Sequence, residues 1–213
     1  MEYFRYIVRF LYRIRWYLAI IPLIALIIAW FLTRNMDKEY NVKTTIYTGI
    51  ISGYNIENGT SVSAANSAVN MANLMHIIST ERTLKVVSLR LFARVMTYGD
   101  ENQNNNYILA EHFKELNASV PQEVKALIDK RSEDKTVDNL LAYERPSAGN
   151  FVYGLLNYGH PYFSIRALSE KIKVARMENS DLIEIGYSAN DPGIAYNTLE
   201  ILNEEFIDQY QRI

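Results

Sequence analysis

Hydrophobic and polar positions divide the chain into two regimes. Trp16 to Leu32 reads WYLAIIPLIALIIAWFL, seventeen residues without a charge. At 1.5 Å rise per residue this run covers roughly 25 Å, the short end of a bilayer crossing. It is apolar all round, unlike the one-sided stripe of a surface helix. Trp16 and Tyr17 mark one end and Trp30 the other, where the membrane–water interface favours aromatic rings. Pro22 falls in the first half of the span, where a kink is tolerated. Ala25 and Ala29 have small-xxx-small spacing and read as ordinary lipid-facing positions.

After this run the pattern becomes that of a globular domain. From Glu39 to Ile51 polar and apolar positions alternate. Tyr40, Val42, Thr44, Ile46, Thr48 and Ile50 fall on one face of a predicted strand, and its β-branched content supports it. Ser52 to Ser63 reads as a polar loop. Ala64 to Ile78 reads as a helix with Ala68, Met71, Ala72, Met75 and Ile78 on its apolar face. Thr80 then fits an N-cap, and Leu84, Val87, Leu91 and Val95 stripe a second helix ending near Gly99. Asp100 to Asn106 is a polar turn. Short helices are predicted over 107–117, 121–131, 133–144 and 148–157, punctuated by Pro121, Pro146 and Gly159. Ser164 caps another, with Ile165, Leu168 and Ile172 as its buried side.

The last segment has the sharpest pattern. Ile172 to Met177 and Leu182 to Ser188 are strands, and Glu178-Asn179-Ser180-Asp181 between them is turn chemistry. Together they form a predicted β-hairpin. Asp191 then fits an N-cap and Pro192 the first helical position, where a missing N–H costs nothing. Ala195, Leu199, Leu202 and Phe206 step by 4, 3 and 4, and Tyr210 and Ile213 continue this heptad-like stripe. The stripe is still running at the last residue, so a chain cut inside a longer helix is expected.

Charge orients the apolar run. Arg5, Arg9, Arg13 and Arg15 precede it against Glu2 alone, whereas Arg34 and Lys38 after it are offset by Asp37 and Glu39. The basic flank belongs on the cytoplasmic side, so residues 1–15 are expected inside, 16–33 in the membrane and 34–213 beyond it. Arg13, Arg15, Trp16 and Trp30 are the expected interface residues. A cleaved signal peptide fits less well, because TRNMDKEY after the run has no small-x-small site. The first fifteen residues contribute +3 to the total of −2, so the remainder carries −5. That acidic balance argues against nucleic-acid binding. The absence of cysteine excludes disulfides and thiol chemistry.

Candidate chemistry is sparse. His76, His112 and His160 lie far apart, in no metal-binding spacing, and no GxSxG, HExxH or Walker lysine motif occurs. The sequence therefore predicts no catalytic residue, no cofactor and no metal.

The segment IKVARMENSDLIEIGYSANDPGIAYNTLEILNEEFIDQY, Ile172 to Tyr210, resembles the Wzz-type polysaccharide co-polymerases, the chain-length determinants of bacterial surface polysaccharides. The shared pattern is a strand leading through S–DP–A into a helix. The anchor followed directly by KEYNVKTTIYTG, and the helix pair around MHIISTERTLKVVSLRL, are similar to the same family. The resemblance assigns Asp191, Pro192 and Ala195 a structural role in capping the helix. It implies a homo-oligomer in the bacterial inner membrane, with a periplasmic domain that acts with a polysaccharide polymerase on the nascent glycan and makes no bond itself. It also implies a second membrane span approached by a proline-rich segment and, in some relatives, a tyrosine-kinase domain. Neither lies within these residues, and a coiled coil and second span are expected downstream of Ile213.

Two other readings fit the same order of parts. One is an extracytoplasmic ligand-sensing domain of a membrane receptor, which calls for a concave pocket with convergent polar groups. The other is a tethered glycan-cleaving enzyme, which calls for two carboxyl groups about 5–9 Å apart. The expected architecture is α/β (α+β), with one N-terminal membrane helix and a small mixed sheet formed by strand 39–51 and hairpin 172–188. Helices 64–78 and 81–96 are expected to pack on one side of that sheet. The long C-terminal helix is expected to project away, toward neighbouring copies or a coiled coil.

Overall fold

A computed structural model describes residues 2–34, 38–49, 64–178 and 180–210, in two compact units that divide after Lys38. The first unit is one continuous helix, α1 (Glu2–Arg34), which carries Pro22 within it. Its stretch Tyr12–Arg34 is long and apolar enough to cross a membrane, and none of it is buried within the protein. Trp16 and Trp30 are exposed, as are Arg13 and Arg15. The helix extends through the arginine-rich start as well as the apolar run.

The second unit holds a three-stranded sheet and a stack of helices. The sheet comprises β1 (Tyr40–Tyr47), β2 (Lys173–Arg176) and β3 (Leu182–Ala189), in the order β1-β3-β2. Both ladders are antiparallel, with Tyr40 opposite Ala189 and Val174 opposite Ile185. The sheet is therefore antiparallel throughout rather than mixed. Ile183, Ile185, Tyr187 and Ala189 of β3 point inward and are buried, as the alternation requires. The first strand is shorter than the sequence suggests. Gly49 turns the chain at φ +67°, and the Thr48 N–H and hydroxyl both donate to the Asp181 carbonyl (2.9 and 3.0 Å). Residues 50–51 and the predicted loop 52–63 lie outside the described residues.

The helices of this unit are α2 (Ala64–Ile78), α3 (Glu81–Tyr98), α4 (Ala110–Ser119), α5 (Gln122–Lys125), α6 (Glu133–Tyr143), α7 (Phe151–Asn157), α8 (Ile165–Lys171) and α9 (Pro192–Tyr210). Thr80 caps α3 by accepting from the Thr83 N–H, and Ser164 caps α8 by accepting from the Ala167 N–H. The predicted helix 121–131 survives only as α5. Thr136 on α6 captures the following segment: its hydroxyl accepts from the Asp129 N–H at 2.8 Å and donates toward the Asp129 carbonyl. Helix α2 buries Met71, Leu74 and Ile78, while Ala68 and Ala72, assigned to its apolar face, are exposed.

The largest correction concerns α9. It does not project from the domain but lies between the sheet and α3, packing on β1 and β3 with one side and on α3 with the other. Helices α6 and α8 then pack on α3, while α2 touches α9 and β2. The heptad-like stripe is used inside the monomer, where Ala195, Leu199, Leu202 and Phe206 are all buried. Ile194 and Ile201 add a second buried side. Asn197 and Thr198 join it because their side chains donate to the Gly193 and Ile194 carbonyls of their own helix (2.8 and 2.7 Å). With Thr198 satisfied locally, and Asn197 also bonded to the Asn106 carbonyl (2.8 Å), more than half of the helix circumference can enter the core.

Candidate functional site

The polar centre of this core is Asp191, whose side chain is fully buried. Its Oδ1 accepts from the Gly193 and Ile194 N–H groups (2.9 and 3.1 Å), the two free donors in the first turn of α9. Its Oδ2 accepts from the Leu109 N–H (2.9 Å), at the start of α4, and from His112 Nδ1 (2.7 Å) one turn further on. One carboxylate thus closes the N-terminal ends of two helices, where exposed N–H groups and the macrodipole both favour negative charge. The first donor inside α4, the Ala110 N–H, is taken by the Asn104 side chain at 2.9 Å.

Because the carboxylate only accepts, His112 donates to it from Nδ1. Tyr162 completes the cluster. Its hydroxyl donates to Asn190 Oδ1 at 2.7 Å and lies 3.5 Å from His112 Nδ1. Burial, aided by the negative charge of Asp191, pushes the Tyr162 phenol up to about 12. The grouping outwardly resembles a catalytic carboxylate–imidazole pair. Four donors of the protein itself occupy Asp191, so the carboxylate ties the starts of α9 and α4 together. Among the described residues, no three His, Asp or Glu side chains converge as a metal site.

Backbone contact reinforces this tie. A Cβ added to Gly193 would lie 2.6 Å from the Tyr107 carbonyl oxygen and 2.7 Å from the Ile108 nitrogen, both rigid main-chain atoms. The start of α9 and the 107–108 segment can cross this closely only at glycine. Gly193→Ala is expected to cost about 2 kcal/mol, by overpacking that no rotamer change relieves. A urea titration that finds the variant within about 0.5 kcal/mol of the parent would show the crossing to be compliant.

A second polar assembly lies on the far side of α9. Arg94 of α3 donates to Glu133 (3.0 Å), Glu200 (2.6 Å) and Asn197 (3.3 Å), joining α3, α6 and α9. Arg90 lies one turn away, 3.6 Å from Glu204. Burial alone would lower the Arg94 pKa, but the hydrogen bond and charge of Glu133, with Glu200 and Glu204, outweigh it and raise it.

His160 is held differently from His112. It packs against Phe163 with ring centroids 4.7 Å apart, and its Nδ1 accepts from the Tyr162 N–H. Burial without a compensating charge lowers its pKa to about 4. The unfolded chain, with a His pKa near 6.5, therefore binds more protons than the native state between pH 6.5 and 4. Stability contributed by neutral His160 is complete above pH 6.5 and is lost as the pH falls through this window. From pH 7.5 to 5 the loss is roughly 1–2 kcal/mol, the lower figure allowing for partial exposure. Urea midpoints should fall accordingly in the parent protein and less steeply in His160→Phe. Equal slopes in the two proteins would remove His160 as the source.

Of the sequence-predicted site residues, Asp191, Pro192 and Ala195 come together at the start of α9, with Ala195 fully buried. Arg13, Arg15, Trp16 and Trp30 lie on α1, where the Arg15 guanidinium covers the Tyr12 ring at 4.6 Å and Arg34 covers Trp30 at 5.2 Å. His112, Tyr162, Gly193 and Arg94 were not legible as partners, since each meets its contacts across long sequence separations. Gly193 alone left a local signal, a poor helix former placed in the first turn of a well-capped helix. Comparison with protein-family models, with characterised proteins and with solved structures finds no match to this chain.

Proposed function

We propose that this chain belongs to a membrane-anchored polysaccharide co-polymerase, a non-enzymatic regulator of surface-polysaccharide chain length. The observation that carries the reading is the path from β3 through Ser188-Ala189-Asn190-Asp191-Pro192 into α9. That resembling segment is the structural hub of the unit: β3 is its central strand, and α9 its central helix. The strand that follows the anchor, β1, pairs with β3 along its whole length. Apart from the anchor, the parts on which the family resemblance rests thus pack together within the second unit.

In this reading α1 sits in a bacterial inner membrane with the arginine-rich start in the cytoplasm and the α/β unit in the periplasm. Copies assemble side by side and contact a polymerase and its growing glycan. Clustering raises the local concentration of such contacts without demanding strong binding from each copy.

Two measurements test it together. The detergent-corrected mass of the full-length protein should be a discrete multiple of the protomer. Deletion of its gene should change the length distribution of one surface polysaccharide, and re-expression should restore it. A monomer in several detergents, together with an unchanged glycan ladder, would remove the reading and favour a ligand-sensing receptor domain.

A further inference from the structure

The α/β unit carries an open groove of about 550 Å³ between the end of α4, the 148–150 loop and α7 with the turn that follows it. We infer that this groove binds a segment of neutral saccharide, with Tyr158 as its stacking platform. The inference deepens the function proposed above by giving the glycan a place to touch this chain.

The first argument is the presentation of Tyr158. It follows the last residue of α7 and is 63 % exposed, although large aromatic rings are costly to leave in water. One ring edge lies over Gly154, where an added Cβ would meet Tyr158 Cδ2 at 3.4 Å. Tyr153 meets the ring edge-to-face at 5.8 Å. The platform is therefore positioned by its own helix. Gly159, at φ +84°, then turns the chain so that His160 also lines the groove.

The second argument is the chemistry of the lining. It contains no Asp, Glu, Lys or Arg, which disfavours ionic ligands. Pro121, Phe151 and Leu155 supply apolar surface, while Ser119, His160 and the Tyr158 hydroxyl supply neutral hydrogen-bonding groups. His160 is neutral at physiological pH, and its Nδ1 is already an acceptor for the Tyr162 N–H, so Nε2–H is the donor it retains. The Ser119 hydroxyl spends its proton on the Leu116 carbonyl and keeps acceptor capacity. Apolar surface, one exposed ring and scattered neutral donors and acceptors match a pyranose, whose C–H face stacks on an aromatic ring while its hydroxyls form hydrogen bonds. A groove of this volume, within the usual range for ligand clefts, takes a short run of rings rather than a whole polymer.

The test uses the full chain in lipid nanodiscs, which avoids sugar-headed detergents. A panel of neutral oligosaccharides (maltoheptaose, cellohexaose, isomaltoheptaose and chitohexaose) is titrated and followed by saturation-transfer NMR and calorimetry. At least one is expected to bind with a millimolar or tighter Kd, and Tyr158→Ala should weaken it roughly tenfold. Tyr158→Trp should retain binding. Gly149→Leu offers a second route, because nothing lies within 4 Å of a Cβ at that position and the new side chain can enter the groove without disturbing the core. It should block binding while the thermal midpoint stays unchanged. The inference is overturned if no member of the panel binds at roughly 10 mM, or if binding persists unchanged in both Tyr158→Ala and Gly149→Leu. Saccharide binding in a strain whose glycan ladder ignores the protein would leave the groove standing and remove the regulatory reading. A ladder that depends on the protein, with no saccharide bound, would do the reverse.

Discussion

Asp191→Ala is expected to destabilise the α/β unit by about 3–5 kcal/mol, the range for removing one partner from a buried, charge-assisted network. The substitution removes a small volume, but it strands the Gly193, Ile194 and Leu109 N–H groups and the His112 Nδ1–H together. Water cannot readily replace a side chain with no exposed surface. Asp191→Asn keeps Oδ1 as an acceptor but places an amide where Oδ2 meets two donors. It should lose about half as much, and His112→Ala less again, because the three main-chain bonds then remain. Chemical denaturation of all three variants provides the ranking. An alanine variant within about 1 kcal/mol of the parent would show that the two helix starts are held mainly by apolar packing.

Arg94→Ala is expected to cost about 2–3 kcal/mol, below the figure for a fully dry ion pair because 11 % of the Arg94 side chain and 41 % of the Glu200 side chain remain in solvent. Its guanidinium joins three helices, and its removal leaves Glu133, among the described residues, with Arg90 at 3.9 Å as its basic partner. Arg94→Lys restores charge without the planar fork and should recover only part of the loss. Arg94→Met separates charge from packing. If methionine matches the parent, the aliphatic stem carries the contribution; if it matches alanine, the ion network does. A cycle with Glu133→Ala measures the coupling directly, and a value near zero would contradict the assigned role.

The regular elements were largely legible in the sequence because their signals are local. The alternation in β1, the hairpin turn between β2 and β3, the Thr80 and Ser164 caps and the Asp191-Pro192 helix start each depend on neighbouring residues. Boundaries moved where a group from another element intervened, as when Thr136 of α6 took the Asp129 N–H that a helix over 121–131 would have kept. The function of α9 was misread for a related reason. A 4-3-4 stripe is equally suited to a coiled coil and to one side of a buried helix. What separates them is the opposite side, and there Thr198 looks polar in sequence while its hydroxyl is satisfied on its own helix, and Asn197 is satisfied by its own helix together with Asn106 and Arg94.

By itself the sequence determined an apolar N-terminal helix, an α/β unit after it, and a capped final helix. These follow from hydrophobic period, turn chemistry and side-chain capping, all of which act over a few residues. Only the tertiary structure decided that α9 is the central helix and that Asp191 also holds α4. The same is true of the binding of three helices by Arg94 and the clustering of small and aromatic residues around Tyr158. Each of these joins groups from separate elements, and their burial depends on how the elements pack rather than on the residues beside them in the chain.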